Sequence, residues 1–344
     1  MRAATYTAGA PSLVIAEVPD PTPTADGLVL RVDACGICGS DLHMAHNKHA
    51  RRGTVFGHEF SGTVVAVGSD VRDHREGDRV VGFPLAGCGE CAACAAGAPA
   101  GCIRSALTGA QTPGAYAEYV AIRARDAWAL PDHLSAAHGA LVEPLAVAHH
   151  ALASTPRAVD EPVLVLGGGP VGLAVAVWAR ALGAREVVVS DPVAHRRALA
   201  EAVGATAVDP TSDDVGAAFS AVAGGPPRAI VECIGRAGAV QHAGDLAAMQ
   251  GHVTFVGACT QPDTFTPITP TLKELTFRFV VYYRHSDYVQ TIAQLAGGGL
   301  DPLPLVTAIV GLDELPDRFE ALLGPTEDCK VLVQPDAMPA RREP

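Results

Sequence analysis

A cysteine and a histidine near the start of the chain have the types expected of metal ligands. Cys38 lies in the segment Cys35–His43, and His58 lies in Gly57–Glu59. Zinc prefers thiolate and imidazole ligands, and three protein ligands plus one open position define a catalytic site. The pair predicts such a site, with a third ligand from elsewhere; the alternative for Cys38 is a small buried hydrophobic residue. A thioredoxin-like redox role for Cys35 and Cys38 is disfavoured, because that motif belongs near a βαβ unit.

Four further cysteines form a cluster at intervals of three, three and eight residues: Cys88, Cys91, Cys94 and Cys102. Such a cluster in a chain without an apparent signal peptide favours metal over disulfides. The neighbouring alanines, glycines and prolines offer almost no core-forming side chains. A tetrahedral zinc would fold this lobe and leave no coordination position open for substrate. We therefore predict a structural zinc, the alternative being a reduced, metal-free loop.

The length predicts two domains or one large one. The chain has 344 residues and a net charge of −12, which argues against nucleic acid or an anionic membrane as the main partner. The uncharged run Pro162–Ala179 is interrupted by Gly167–Pro170, so it does not fit a membrane span. No signal peptide is apparent, and we expect a cytoplasmic location.

The first part of the chain has short β patterns, at Leu28–Ala34, Thr63–Val67, Arg79–Val81 and Tyr116–Ile122. They fit a compact, partly open β-barrel, with a helix that begins near Ser40. A helical pattern starts near His138. The residues Leu303–Val310 and Lys330–Val333 could pair back into this first domain, and the tail after Pro335 is polar.

From Val163 onward strands alternate with helices, which predicts a doubly wound parallel sheet. The helices include Val171–Leu182 and His195–Val203. The predicted strands are Val163–Leu166, Val187–Ser190, Thr206–Val208, Ala229–Glu232, Val253–Val256 and Phe277–Val281.

A glycine-rich turn follows the first of these strands and opens a helix. Gly167, Gly169 and Gly172, with Pro170 and Val171 between them, form the G-x-G-x-x-G pattern that lets a backbone approach a pyrophosphate. Asp191, at the end of the next strand, is placed to accept hydrogen bonds from a ribose and to repel a 2′-phosphate. The sequence thus predicts NAD rather than NADP, although Arg196 and Arg197 could hold that phosphate.

Glu143 is a single carboxylate in the apolar run Leu141–His150. It is either an exposed residue just before Pro144 at the first position of a helix, or a carboxylate directed at the catalytic metal. The residue chemistry does not decide between the two.

Together these motifs resemble the zinc-dependent medium-chain alcohol/polyol dehydrogenase family, in its sorbitol/threonine dehydrogenase-like branch. The resemblance covers nearly the whole chain. It implies an α/β fold with a GroES-like β-barrel catalytic domain (1–148, with the zinc lobe at 86–103). A Rossmann domain (149–286) would follow, and a return segment (287–344) would complete the first domain. The active site would lie in the cleft between the domains.

The resemblance also implies roles for single residues. Cys38 and His58 would bind the catalytic zinc, with Glu143 as the preferred third ligand. Glu59 would be a second candidate that takes turns with water, and Asp41 would orient the zinc-bound imidazole.

The implied reaction is hydride transfer between NAD(H) and a secondary alcohol, polyol, cyclitol or amino alcohol. Ser40 and His43 would carry the released proton away, the alternatives being a helix cap and a surface histidine. The basic loop at 46–52 could meet an anionic or polyhydroxylated substrate, or be a solvated surface.

Two other enzyme classes compete with this interpretation. One is an epimerase that oxidises transiently and keeps its cofactor, and the other is a zinc-free NADPH quinone or enoyl reductase. The second would have no reason to combine Cys38 and His58 with the cysteine lobe. A non-catalytic protein would hold zinc only in that lobe. Val253–Val256 and Phe277–Tyr283 could form an exposed sheet edge, and the resemblance implies that copies pair there as a homodimer or homotetramer.

Overall fold

The computed structural model describes residues 1–156, 161–324 and 326–337. They form two compact units, one of Met1–Glu143 with the chain from Val306 onward, the other of Pro144–Leu305. The boundaries predicted at 148/149 and 286/287 differ from these limits. The chain leaves the first unit inside one continuous helix, and the second unit continues as far as Leu305. The tail after residue 337 lies outside the described residues.

The strands before the glycine-rich turn are β1 (Arg2–Tyr6), β2 (Leu13–Glu17), β3 (Gly27–Gly36), β4 (Glu59–Val67), β5 (Arg79–Gly82), β6 (Leu85–Ala86), β7 (Ala106–Leu107), β8 (Tyr119–Arg123) and β9 (Ala127–Ala129). The strands of the second unit are β10 (Val163–Leu166), β11 (Val187–Ser190), β12 (Thr206–Val208), β13 (Ala229–Glu232), β14 (His252–Phe255) and β15 (Thr276–Phe279). Two more return to the first unit, β16 (Val306–Val310) and β17 (Lys330–Val333).

The α-helices of the described residues are α1 (Gly39–His46), α2 (Ala92–Ala95), α3 (Ala136–Ala153), α4 (Pro170–Ala181), α5 (Ala194–Ala202), α6 (Val215–Ala223), α7 (Ala239–Leu246), α8 (Ile268–Leu272), α9 (His285–Ala296) and α10 (Leu315–Leu322). Short 3-10 turns lie at Pro99–Gly101, Ala124–Asp126, Leu303–Leu305 and Leu312–Glu314. None of the helices in the described ranges is long and apolar enough to cross a membrane.

The long strand β3 organises the first unit. The described sheet has the order β16-β17-β3-β4-β5-β9, and β8 also pairs with β3. The start of β3 pairs with β8, whereas its last residues, Cys35 and Gly36, pair with β17. The C-terminal strands therefore complete this sheet, as the sequence predicted. The aromatic rings of Phe56 and Phe319 stack 6.1 Å apart in the core, so α10 also belongs to it.

The second unit contains a parallel sheet with the order β12-β11-β10-β13-β14-β15. The order reverses beside β10, which is where doubly wound folds bind ligands. The first four predicted strands have the observed limits, and the last two are shifted by one or two residues. Helix α4 packs on this sheet through a nearly continuous buried stretch from Gly172 to Ala179. The predicted α/β class and Rossmann topology are confirmed.

Candidate metal centres and cofactor site

Three potential ligands converge at the end of β3. Cys38 directly precedes α1, His58 directly precedes β4, and Glu59 is the first residue of β4. One potential ligand atom from each of the three lies within 4.8 Å of the others. His58 and Glu59 are buried, and Cys38 is half-buried. A thiolate, an imidazole and a carboxylate at this spacing form a donor set that fits zinc.

The Asp41 carboxylate lies beside the His58 ring. This carboxylate is fully buried, and Oδ1 lies 3.3 Å from His58 Nδ1. The other oxygen accepts a hydrogen bond of 2.7 Å from the Tyr116 hydroxyl. Burial disfavours protonation of His58, but the neighbouring Asp41 carboxylate and Cys38 raise its pKa well above the usual value. With Nδ1 facing Asp41, Nε2 is the nitrogen available to a metal.

Lys330 forms a buried ion pair with Glu59. Its Nζ lies 2.7 Å from both carboxylate oxygens and donates a further hydrogen bond of 3.1 Å to the carbonyl oxygen of Ile37. Gly36 makes room for this arrangement, since a Cβ there would lie 2.0 Å from Glu59 Oε2. Burial lowers the pKa of Lys330, but Glu59 outweighs burial and raises it. Lys330, the first residue of β17, thus places a cation beside the candidate centre.

Glu143 lies outside this group of three. It is buried in the middle of α3, which begins at Ala136, so Pro144 is inside the helix and not at its first position. The interpretation of Glu143 as an exposed residue at a helix start is therefore wrong. Among the described residues, the carboxylate that lies within 4.8 Å of ligand atoms of Cys38 and His58 in this group is that of Glu59. The ranking of Glu143 before Glu59 as third ligand stays a prediction.

The predicted relay residues lie along α1. Ser40 Oγ is 3.3 Å from Cys38 Sγ and 3.4 Å from His58 Nε2. His43 is exposed and follows three positions later on the same helix, close to one turn away. The hydroxyl is thus beside the candidate ligands and the imidazole is at solvent, and the relay itself stays a prediction.

The four cysteines of the lobe also converge. Their sulfur atoms lie within 4.8 Å of one another, with distances of 3.9 Å from Cys88 to Cys94 and 3.6 Å from Cys91 to Cys94. Tetrahedral zinc with Zn–S bonds near 2.3 Å places sulfur atoms about 3.8 Å apart. The lobe therefore has the dimensions of a Cys₄ zinc site.

Backbone N–H groups stabilise the thiolate form of two of the four cysteines in this lobe, whereas desolvation and the neighbouring sulfur atoms raise the pKa of Cys94 to about 11. The amides of Glu90 and Arg104 lie 3.4 Å from the sulfur atoms of Cys88 and Cys102, respectively. Hydrogen bonds from the backbone of Glu90 and Cys91 lower the pKa of Cys88 to about 6. The pKa of Cys102 is also lowered, mainly by the backbone amide of Cys88. Thiolates are the form of cysteine that binds zinc.

The glycine-rich turn has the geometry that a pyrophosphate requires. Gly167 has a φ of +99°, and a Cβ on Gly172 would lie 1.8 Å from the carbonyl oxygen of Gly167. A Cβ on Gly169 would meet no atom within 4 Å, so open space lies before the N-terminus of α4. Pro170 and Val171 are the first residues of that helix. The turn therefore fits a dinucleotide whose phosphates approach a helix N-terminus.

Asp191 lies at the end of β11 beside this turn. It is buried, and its two oxygens accept hydrogen bonds of 2.8 Å from the amides of Gly168 and Val193. Arg196 lies 3.6 Å from the same carboxylate, and its buried Nε has no hydrogen-bond partner among the described residues. Arg197 instead pairs with Asp209 at 2.8 Å. Of the two arginines, Arg196 is thus the one beside the predicted ribose site.

The sequence analysis missed Lys330 and Tyr116 as partners of the candidate ligands. One signal could have indicated Lys330, because it is one of only three lysines in the chain and precedes the apolar run Val331–Val333. A charged residue next to a buried strand needs a partner. Nothing in the pattern around Tyr116 distinguishes it from other core aromatics.

Two family profiles match the chain. The alcohol dehydrogenase GroES-like domain matches residues 24–132, and the zinc-binding dehydrogenase domain matches residues 170–297. The chain belongs to the zinc-dependent medium-chain alcohol/polyol dehydrogenase family. It is an oxidoreductase that acts on the CH–OH group of alcohols or polyols and uses zinc and a nicotinamide cofactor.

Individual relatives span nearly the whole chain. The 2-dehydro-3-deoxy-L-galactonate 5-dehydrogenase of Pseudoalteromonas atlantica is 32% identical over 92% of this chain and 93% of its own. A zinc-binding dehydrogenase from Sinorhizobium meliloti 1021, bound to NADP, is 33% identical with a TM-score of 0.89, over 97% and 99% of the two chains. The 2R,3R-butanediol dehydrogenase of Bacillus subtilis is 30% identical with a TM-score of 0.88, over the same shares.

Proposed function

We propose that the protein is an NAD-dependent dehydrogenase that oxidises a secondary alcohol, polyol, cyclitol or amino alcohol to its ketone at a zinc centre. The observation that carries this proposal is the convergence of Cys38, His58 and Glu59 within 4.8 Å. Two relatives that support it are named as dehydrogenases of 2R,3R-butanediol and of 2-dehydro-3-deoxy-L-galactonate.

Cys38 and His58 would hold the catalytic zinc, with Glu59 or Glu143 as the third protein ligand. When bound, zinc would act as a Lewis acid that lowers the pKa of a substrate hydroxyl. Asp41 holds His58 so that Nε2 faces the site, and Tyr116 in turn fixes Asp41. Asp41 is thus a positioning residue.

Ser40 is the residue we propose to receive the substrate's proton, because its hydroxyl lies beside both Cys38 and His58. His43 would pass the proton to solvent from the exposed face of α1. Lys330 neutralises Glu59 in the interior and keeps its carboxylate next to the ligands.

NAD would accept the hydride. The backbone of Gly167, Gly169 and Gly172 would hold its pyrophosphate, and Asp191 would accept hydrogen bonds from the adenosine ribose. Arg196 offers a cation to a 2′-phosphate, which makes NADP the alternative cofactor, and the Sinorhizobium relative was solved with NADP. The buried Asp191 carboxylate supports NAD, because a phosphate beside it would be repelled.

The remaining features support a second zinc, a dimer and a cytoplasmic location. The Cys₄ lobe would hold a structural zinc. The edge strand β15 and its extension expose Phe279 and Val281, which are 69% and 65% accessible and could pair with a second copy. The prediction that Val253–Val256 also lies at the edge is wrong, because β14 lies between β13 and β15. We expect a homodimer or homotetramer in light scattering, and a monomer would reject it. All cysteines are free thiols, which suits the reducing cytoplasm.

Metal analysis of the purified protein tests the proposal. We expect about two zinc ions per chain, one in each candidate centre. The activity test is NADH absorbance with a panel of secondary alcohols, alditols, cyclitols and amino alcohols. A zinc content of one, together with no NADH formation, would contradict the proposed function.

A further inference from the structure

A cavity of about 650 Å³ lies in the first unit. One wall is formed by Met44 of α1 and by residues 49–55. The facing wall is formed by residues 110–113. The cavity therefore lies between the basic loop singled out in the sequence and the turn that precedes Gly114.

The charge of this region is opposite to that of the protein. The net charge of the chain is −12, yet no acidic residue occurs between Asp41 and Glu59. The same interval contains Lys48, Arg51 and Arg52 together with four histidines. None of the described residues that line the cavity is acidic. A local field of this sign in an acidic protein attracts anions.

Arg51 and Arg52 have no ion-pair partner in the described part of the chain. Three other arginines of the same unit form ion pairs: Arg31 with Asp33, Arg123 with Asp126, and Arg318 with Asp328. The two guanidinium groups are exposed and line the cavity. Guanidinium groups bind carboxylates and phosphates with paired hydrogen bonds, so their unpaired state here suits an anionic ligand.

Both walls are attached to the segment that carries the candidate zinc ligands. Helix α1 begins next to Cys38, and Met44 lies six residues farther on, about 9 Å along the helix axis. The facing loop hydrogen-bonds to the segment before His58, with Gly114 N donating to Val55 O at 2.8 Å. The cavity is thus walled by the helix that follows Cys38 and by a loop bonded to the segment that precedes His58.

The basic loop is anchored at both ends. After α1, the amide of His49 donates to the carbonyl oxygen of Met44 at 2.9 Å, with Lys48 in the left-handed region at φ +54°. Farther on, the amide of Gly53 donates to the carbonyl oxygen of Tyr6 at 2.7 Å. A non-glycine residue in this conformation is a feature that surrounding structure must impose, and it often marks functional segments. The two arginines are therefore presented from a defined backbone.

We propose that this cavity binds the anionic end of a polyol substrate, a carboxylate or a phosphate monoester, through Arg51 and Arg52. The inference rests on the proposed dehydrogenase function and names the substrate class of the same site. The two arginines set specificity, and the reacting hydroxyl lies at the other end of the substrate.

The test compares matched substrates with the zinc-loaded enzyme and NAD. The pairs are aldonates against their neutral alditols, and alditol phosphates against the same alditols. The variant is Arg51→Gln/Arg52→Gln, and the control is Arg72→Gln/Arg75→Gln, which removes two exposed charges from the same unit. For the preferred anionic substrate we expect kcat/KM to fall about 10- to 100-fold through KM, and neutral substrates to change less than about twofold.

The two anion classes distinguish the source of the charge. A preference for aldonates identifies a carboxylate, and a preference for alditol phosphates identifies a phosphate ester. The inference is overturned if the wild-type enzyme uses neutral alditols as well as both anions, or if the control lowers activity as much as Arg51→Gln/Arg52→Gln. The dehydrogenase function would stand in either case.

Calorimetric titration separates this inference from the proposed function. Each aldonate and alditol phosphate is titrated into the wild-type protein and the variant in the absence of turnover. Binding to the wild type that is lost in Arg51→Gln/Arg52→Gln supports the anion site even if no substrate is oxidised. No binding to the wild type by any of these anions overturns it.

Discussion

The two candidate metal centres are assembled in opposite ways. The four sulfur atoms of the lobe come from one segment of the chain, residues 88–102. The other centre takes Cys38 from the start of a helix and His58 with Glu59 from the start of a strand. Its balancing cation, Lys330, comes from 271 residues beyond Glu59. A structural site of this kind can form locally, whereas the proposed catalytic site requires the folded unit.

The groups that surround the two candidate centres also differ. The lobe surrounds its thiolates with backbone N–H groups, which any sequence of the right length can supply. The other centre uses buried side chains, with Asp41 and Tyr116 behind His58. Burial makes each charge in it depend on its partner. Substitutions of the lobe cysteines should therefore act on stability, and substitution of the candidate ligand Cys38 should act first on activity.

Cys38→Ser and Cys91→Ser should separate these two roles most strongly. We expect Cys38→Ser to lower kcat/KM at least about a thousandfold, because a serine hydroxyl is a poor zinc ligand and Lewis-acid activation contributes several kcal/mol. Its thermal midpoint should stay within a few degrees of wild type. Cys91→Ser should instead lower the midpoint, because the lobe would lose its metal and has little core of its own.

Zinc content and thermal unfolding of both variants check this separation. Each variant should contain one zinc ion fewer than the wild-type protein. If Cys91→Ser left the midpoint unchanged while Cys38→Ser lowered it, the assignment of the two centres would be reversed. Asp73→Ser, an exposed substitution elsewhere in the same unit, serves as the control that should change neither quantity.

Lys330→Met should produce the next largest effect, which is a loss of stability. The substitution leaves the Glu59 carboxylate buried without its cation, which typically costs about 3–5 kcal/mol in the free energy of unfolding. Glu59→Gln/Lys330→Met should recover part of that loss, because both charges are then absent. Denaturant unfolding of the wild type, of Lys330→Met, of Glu59→Gln and of the double variant measures the coupling.

Lys273→Met is the matched lysine control. Lys273 donates to the carbonyl oxygens of Gly244, Asp245 and Ala247 and is only partly buried, so its loss should cost about 1 kcal/mol. Equal effects of the two lysine substitutions would mean that the pair of Glu59 with Lys330 contributes nothing beyond ordinary hydrogen bonds.

The contrast between the centres also explains what the sequence could predict. The cysteine cluster of the lobe, the glycine-rich turn and the first four strands of the second unit follow from local spacing and period, and the structure has them where they were expected. Lys330 and Tyr116 were missed because their roles arise from the pairing of β17 with the end of β3 and from packing of the core. The position of Pro144 was misread because the apolar helix pattern continues on both sides of it. Local patterns thus indicated candidate ligands but not the charges that balance them.

Acidification should weaken zinc binding in the lobe, because protons compete with zinc for the thiolates. Backbone hydrogen bonds lower the pKa of Cys88 to about 6 in the folded lobe, so its thiolate is favoured above that pH. A lowered pKa stabilises the folded form at higher pH, and this contribution is lost as the pH falls through about 6. Because of this competition, we expect release of the structural zinc to increase as the pH falls from 7 to 5, measured with a chromogenic chelator on Cys38→Ser. Release that does not change between pH 7 and pH 5 would contradict the thiolate assignment.

The smallest predicted effect is a change in cofactor preference on substitution of Asp191. Like the lobe, the site around Asp191 is predicted from a local sequence pattern. Its carboxylate accepts hydrogen bonds from the amides of Gly168 and Val193, so it also holds the turn in place. Asp191→Asn keeps one acceptor oxygen but removes the charge that repels a 2′-phosphate. We expect the preference for NAD over NADP to narrow about tenfold, or about 1.4 kcal/mol, mainly through the KM of NADP. Arg196→Gln should shift the preference the other way, since Arg196 is the cation beside the same carboxylate. If neither substitution changes the ratio of kcat/KM for the two cofactors, the ribose is recognised by other residues, and the local pattern predicts the turn but not its selectivity.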